Sequence, residues 1–100
     1  MVTNYQRGRS AEYKAVKELQ AAGYIVTRSA GSHGLWDVMA VNKNGVRLIQ
    51  IKSDADENDV RYDCNVAKEK MATLPRPLNV TCEVWGRMHG KTGWLIQEVL

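Results

Sequence analysis

The sequence predicts an α/β fold: a mixed β-sheet of about five strands flanked by helices, in the order α-β-β-β-α-β-β. Three observations carry that reading. The N-terminal segment repeats apolar residues at helical spacing, and Asn42-Lys43-Asn44-Gly45 is a hairpin signal set between two strand-like runs. A proline-bounded segment then separates this hairpin from a second pair of strand-like runs.

Taken in order, Asn4–Ala22 reads as a helix, because Ala11, Ala15, Val16, Leu19 and Ala22 recur at helical spacing and Gly23 follows where a left-handed C-cap belongs. Tyr24–Arg28 (YIVTR) is short and β-branched and reads as a strand. Ser29–Leu35 (SAGSHGL) is a loop of small residues. Trp36–Val41 and Val46–Ser53 are two strands joined by the hairpin turn. The acidic segment Asp54–Asp63 is expected to be a solvated loop, and Asn65–Leu74 a second helix ended by Pro75-Arg76-Pro77. Asn79–Met88 and Gly93–Leu100 complete the sheet around the turn His89–Thr92. At 100 residues with no internal repeat, one domain spanning 1–100 is expected.

Composition narrows the function classes. No apolar run approaches the ~20 residues of a membrane span. The first residues lack the apolar core of a signal peptide, so an intracellular, cytoplasmic protein without a membrane partner is expected. Cys64 and Cys82 are too few for a disulfide framework and lack zinc-site spacing, and they read as reduced packing residues. The net charge of +3 conceals an asymmetry. Residues 1–53 hold eight Lys/Arg against three Asp/Glu, a balance of +5, and residues 64–100 carry +2. Residues 54–63, with five acids and one Arg, carry −4 and mask this basic character. Such asymmetry suggests an anionic partner, nucleic acid above all, against the plainer reading of a solvated surface with one acidic loop.

Two placements are chemically unusual. Glu12 falls on the apolar stripe of the first helix beside Ala15, Val16 and Leu19, where a carboxylate is costly unless it has a partner or reaches solvent. In the hairpin, a four-residue loop pairs Val41 with Val46 and Asp37 with Gln50, whereas a two-residue Asn44-Gly45 loop pairs Asp37 with Lys52. Either register puts Asp37, Gln50 and Lys52 on one face, amid Met39, Val46 and Leu48. Carboxylate and amide oxygens suit Mg²⁺, and a neighbouring lysine can hold an attacking water or stabilise charge on a phosphate. A structural Asp–Lys pair across two strands is the plainer alternative.

The order Gly8-x-x-x-Glu12, Asp37, Gln50-Ile51-Lys52 resembles the PD-(D/E)XK nuclease superfamily, and within it the archaeal-type Holliday-junction resolvases that also occur in viruses. The likeness is good over residues 5–53, where RGRSAEYK, a strand ending in Arg28, a serine-containing loop and the hairpin follow in that family's order. Beyond residue 53 only the pattern of helix then hairpin matches. Trp36 stands where the superfamily usually has proline, and Gln50 where it usually has an acidic metal ligand.

The resemblance implies a restriction-endonuclease-like fold and a Mg²⁺-dependent endodeoxyribonuclease, with Mn²⁺ able to substitute. It implies that Glu12, Asp37 and Gln50 bind the metal, with the Ile51 carbonyl as a further ligand, and that Lys52 positions or activates water. Ser29 or Ser32 matches the loop serine near the scissile phosphate. Arg7, Arg9 and Arg28 hold the DNA backbone, and His33 is an additional phosphate candidate. It also implies branched DNA, a four-way junction, as substrate, and a homodimer whose contact is expected to include the late hairpin around Trp85 and Trp94. The alternatives are a flap or nicking endonuclease of the same fold, or a catalytically weak DNA-binding module, which Gln50 suggests. Other motifs fail: Asp54-x-Asp56-x-Asn58 lacks the Gly and Glu of a calcium loop, and Gly31-Ser32-His33-Gly34 is not a nucleophile elbow.

Overall fold

The structure is a computed structural model that describes residues 4–29 and 34–100, with side chains from residue 9 onward. Its elements are α1 (Asn4–Ala21), β1 (Ile25–Arg28), β2 (Val38–Asn42), β3 (Gly45–Asp54), α2 (Glu57–Met71), β4 (Val80–Met88) and β5 (Ile96–Val99). The order is the one the sequence predicts. The five strands form one sheet in the order β1-β2-β3-β4-β5, antiparallel except for the parallel pair β3–β4. A parallel pair needs a crossover, and α2 supplies it.

Alternation along the central strands divides the core in two. Ile49 and Ile51 of β3 join Val38 and Ala40 of β2 and Trp85 of β4 beneath Ala11, Ala15 and Leu19 of α1. Their neighbour Leu48 packs the other way, with Cys82 and Val84, beneath Val60, Cys64, Ala67 and Met71 of α2. The sheet is therefore covered on both faces, one helix to each. Burying each large aliphatic side chain stabilises the fold by about 1.5–3 kcal/mol. Both cysteines are free and buried, as expected, and burial pushes the Cys64 thiol up to about 11. Trp36 also joins the α2-side cluster, so the residue in the usual proline position is a packing residue here.

The hairpin adopts the register that pairs Val41 with Val46, so Val38 opposes Ile49 and Asp37 falls beside Gln50. Gly45 makes this possible: its φ is 151°, and a Cβ there would collide with the Asn79 carbonyl, which accepts the Val46 N–H at 2.8 Å. Gly86 serves a different purpose. A side chain there would meet Cys64 Sγ and Val60 Cγ1, both at 2.7 Å, so its absence lets α2 lie directly on β4.

One expectation is corrected. The acidic run is not a loop, and the second helix begins at Glu57 rather than Asn65 and ends at Met71 rather than Leu74. Asp56 caps it, its carboxylate accepting the Asn58 and Asp59 N–H groups at 2.7 and 3.4 Å, an arrangement worth about 1 kcal/mol. Glu57 and Asp59 then sit in the first turn, where the helix dipole favours negative charge, and Lys68 and Lys70 in the last. Among the described residues no helix is long and apolar enough to cross a membrane.

Candidate active site

Near the C-terminal end of β3, three of the sequence-selected side chains converge. Asp37 immediately precedes β2, yet its N–H still donates to the Ile49 carbonyl at 2.9 Å, which fixes it at the strand end. Its Oδ2 accepts from Gln50 Nε2 at 3.0 Å and from the Ile51 N–H at 2.9 Å. Oδ1 accepts no hydrogen bond among the described residues, and the Gln50 amide oxygen likewise has no partner there. Burial raises the Asp37 pKa, against the opposing effects of the Ile51 N–H and the nearby charges of Lys52 and Arg28. Lys52 follows on the Gln50 face of β3, opposite Gly86.

Glu12 reaches the same place from α1. It lies within electrostatic reach of Asp37, and its Oε1 accepts from Arg28 Nη1 at 3.4 Å. Burial and the charge of Asp37 raise its pKa, while Arg28 and Arg9 oppose them. The partner that the apolar-stripe position demanded is thus Arg28, whose guanidinium also stacks over the Tyr13 ring at 4.9 Å. Arg9 sits beside the same ring, donating to Tyr13 Oη at 3.2 Å. The Ser29 N–H donates to the Asp37 carbonyl at 2.7 Å, which places the start of the loop against the site. The side chain of Arg7, together with Ser32 and His33, lies outside the described residues.

Two carboxylates with raised pKa values, Asp37 adding to the shift of Glu12, and with unfilled acceptor oxygens beside an amide oxygen, form a donor set for a hard divalent cation. No group of three or more carboxylates, histidines or thiolates comes together among the described residues. The set therefore fits a hydrated ion, held by two carboxylates and completed by water and phosphate oxygens, rather than an all-protein cage.

Two features were not selected from the sequence. Asp63, in the second turn of α2, lies close to both Lys52 and Asp54, and burial and Asp54 raise its pKa. The acidic run thus places a carboxylate beside the lysine. Arg47 forms a two-pronged pair with Glu83, Nε to Oε2 at 2.7 Å and Nη2 to Oε1 at 2.8 Å, on the α1 side of the sheet. The Thr81 hydroxyl and the Trp85 indole N–H complete the Glu83 shell at 2.8 and 3.1 Å. Trp85 is only 4% exposed and stacks edge-on against Trp94, with ring centroids 5.1 Å apart, so Trp85 packs inside the domain.

Comparison with known proteins bears on the family and the fold. The model of one family, the archaeal Holliday junction resolvases (Hjc), matches residues 3–75, a stretch that contains Glu12, Asp37, Gln50 and Lys52. Among solved structures, Hjc of Archaeoglobus fulgidus, a Holliday junction resolvase from an archaeal hyperthermophile, aligns with a TM-score of 0.55 and 19% identity. The alignment covers 87% of this chain and 68% of that one, and at this identity the likeness is one of fold.

Proposed function

This chain belongs to the archaeal Holliday junction resolvase family, and from that premise we propose that it is a Mg²⁺-dependent endodeoxyribonuclease that cuts four-way DNA junctions. The observation that carries the metal-dependent reading is the Asp37 carboxylate. It is oriented by Gln50 and the Ile51 N–H, faces Lys52 and Glu12, and keeps one oxygen open.

In this reading Asp37, Glu12 and the Gln50 amide oxygen would hold the ion, with the Ile51 carbonyl as a further ligand, and Mn²⁺ could replace Mg²⁺. Bound there, a divalent ion would supply charge stabilisation at the scissile phosphodiester. Gln50 holds Asp37 in place through its amide nitrogen, so one side chain both orients the carboxylate and offers an oxygen. Lys52 orients the attacking water and stabilises negative charge on the phosphate. Arg28 bonds Glu12 at rest, which keeps that half-buried carboxylate compensated until the ion is bound. Arg28 and Arg9 would contact the DNA backbone, a role the family resemblance also gives to Arg7, with Ser29 or Ser32 and His33 as its candidates near the scissile phosphate. Resolution requires two symmetric cuts, so the working unit is a homodimer with one site in each copy.

The test is incubation of purified protein with labelled four-way junction, flap and linear duplex DNA, with and without Mg²⁺ or Mn²⁺. Metal-dependent paired cuts in the junction are expected. Cutting confined to flaps or nicks would assign another nuclease activity on this fold. Junction binding without cutting, together with cutting by a Gln50→Glu variant, would replace the nuclease with a DNA-binding module.

A further inference from the structure

A second feature lies along α1, outside the carboxylate set. Arg9, Tyr13 and Lys17 follow one another at four-residue intervals and therefore form one ridge of the helix. Arg87 of β4, on the α1 side of the sheet, faces this ridge across a cleft of about 850 Å³. The cleft is strongly basic, with Lys14 also in its wall and Glu18 as its one acid. Glu18 is already engaged: Lys14 Nζ lies 3.0 Å from it, and the Trp94 indole N–H donates to it at 2.6 Å. Two cations are left over. Among the described residues, Lys17 is exposed with no ion-pair partner, and the Arg87 guanidinium donates to the Lys91 carbonyl, at 2.7 Å, and pairs with no carboxylate.

Some cations elsewhere on the surface are ion-paired. Lys68 is paired with Glu98 at 2.8 Å and Arg61 with Glu57 at 3.3 Å. Leaving two positive charges uncompensated in one concave surface is what an anionic ligand would require. The cleft also adjoins the candidate active site. Tyr13 follows Glu12 in the chain, and Arg28 touches both, bonding Glu12 and stacking over Tyr13. From Arg9 to Lys17 is eight residues, about 12 Å along a helix rising ~1.5 Å per residue. One DNA strand advances ~3.4 Å per nucleotide along the duplex axis, so a duplex lying parallel to α1 would pass three or four nucleotides of one strand over that length.

We infer that the α1–β4 cleft, through Lys17 and Arg87, is a second binding surface for DNA phosphates. It holds the backbone beside the strand at the carboxylate site. The inference rests on the nuclease reading for what lies next door, but not for its own test, which reads binding alone.

The experiment measures the affinity of the full chain for a labelled four-way junction, and for linear duplex, over a range of salt concentrations. Lys17→Ala/Arg87→Ala is compared with Arg61→Ala/Lys70→Ala, which removes the same charge from α2. The cleft variant is expected to bind roughly tenfold more weakly, with the slope of log K against log salt shallower by about 1.8, the value for two lost phosphate contacts. The α2 variant is expected to keep the wild-type slope. An unchanged slope in the cleft variant, or an equal change in both variants, would overturn the inference. A wild type that binds DNA with this slope difference but never cuts it would remove the nuclease reading and leave the cleft in place.

Discussion

Two carboxylate centres lie on the same sheet and differ in how completely they are satisfied. Glu83 is 2% exposed and receives four donors, two from Arg47 and one each from Thr81 and Trp85, about as many as a carboxylate can accept. Burial alone would raise its pKa, but those hydrogen bonds outweigh it and the pKa is lowered. Asp37 and Glu12 are less deeply buried, yet their pKa values are raised. Asp37 receives two donors on a single oxygen, and Glu12 one long bond from Arg28. A structural charge is fully bonded within the chain, whereas a charge meant for a ligand is left partly unmet. In the proposed reading, that contrast makes the C-terminal end of β3 the working end and the Arg47–Glu83 pair a tie within the fold.

The largest expected effect breaks the satisfied side. Glu83→Ala leaves the Arg47 guanidinium part-buried without its carboxylate and should cost about 3–5 kcal/mol in urea unfolding, with no change in metal dependence of cutting. A loss no larger than that of an exposed pair would show that the tie is not structural. Lys52→Ala breaks the unsatisfied side. It should slow junction cutting by about 10²–10³-fold in single-turnover assays while unfolding at the wild-type denaturant midpoint. A variant that cuts normally would remove Lys52 from the chemistry.

The next effect tests the packing that holds the two helices at their distances. Gly86→Ala drives a methyl into Cys64 Sγ and Val60 Cγ1 and should cost about 1–3 kcal/mol in the same unfolding assay. Because Gly86 pairs with Lys52 on β3, any relief by moving α2 also shifts Asp63 away from the lysine. A stability loss with unaltered cutting would separate the position of α2 from the chemistry.

Most of the site was legible because it depends on period and register. Asp37, Gln50 and Lys52 share a face in any even-loop hairpin, and the fold adopts the register that puts Asp37 next to Gln50. Glu12 was conspicuous as a carboxylate on an apolar stripe. What the charge balance hid was α2. Five acids in ten residues read as a solvated loop, although Val60, Cys64, Ala67 and Met71 already carried a helical repeat that begins inside the run. Local charge was weighed above periodicity, and a cap at Asp56 with acids in the first turn makes the two compatible. Arg47 and Glu83 were not legible together, because the pair spans two strands made neighbours only by the parallel crossover.

The smallest effect tests the contrast through protons. Asp and Glu in unfolded chains titrate near 3.9 and 4.3. Below those values Asp37 and Glu12 are protonated in both states. As pH rises, the unfolded chain ionises first, and the stability these two groups carry at low pH is lost as pH passes their raised folded values. Glu83 has the opposite sign: its contribution is present above the unfolded value and is lost as pH falls through its lowered folded value. A cation that binds ionised Asp37 and Glu12 reverses only the first trend. At a Mg²⁺ concentration about ten times its Kd, the protein should therefore gain about 1.4 kcal/mol near neutral pH and nothing near pH 4. Asp37→Asn should abolish that gain, whereas Arg61→Ala should keep it. Thermal unfolding with Mg²⁺ and with EDTA, across this pH range, reads the difference directly. A gain that is independent of pH, or that survives in Asp37→Asn, would place the cation elsewhere and dissolve the distinction between the two carboxylate centres.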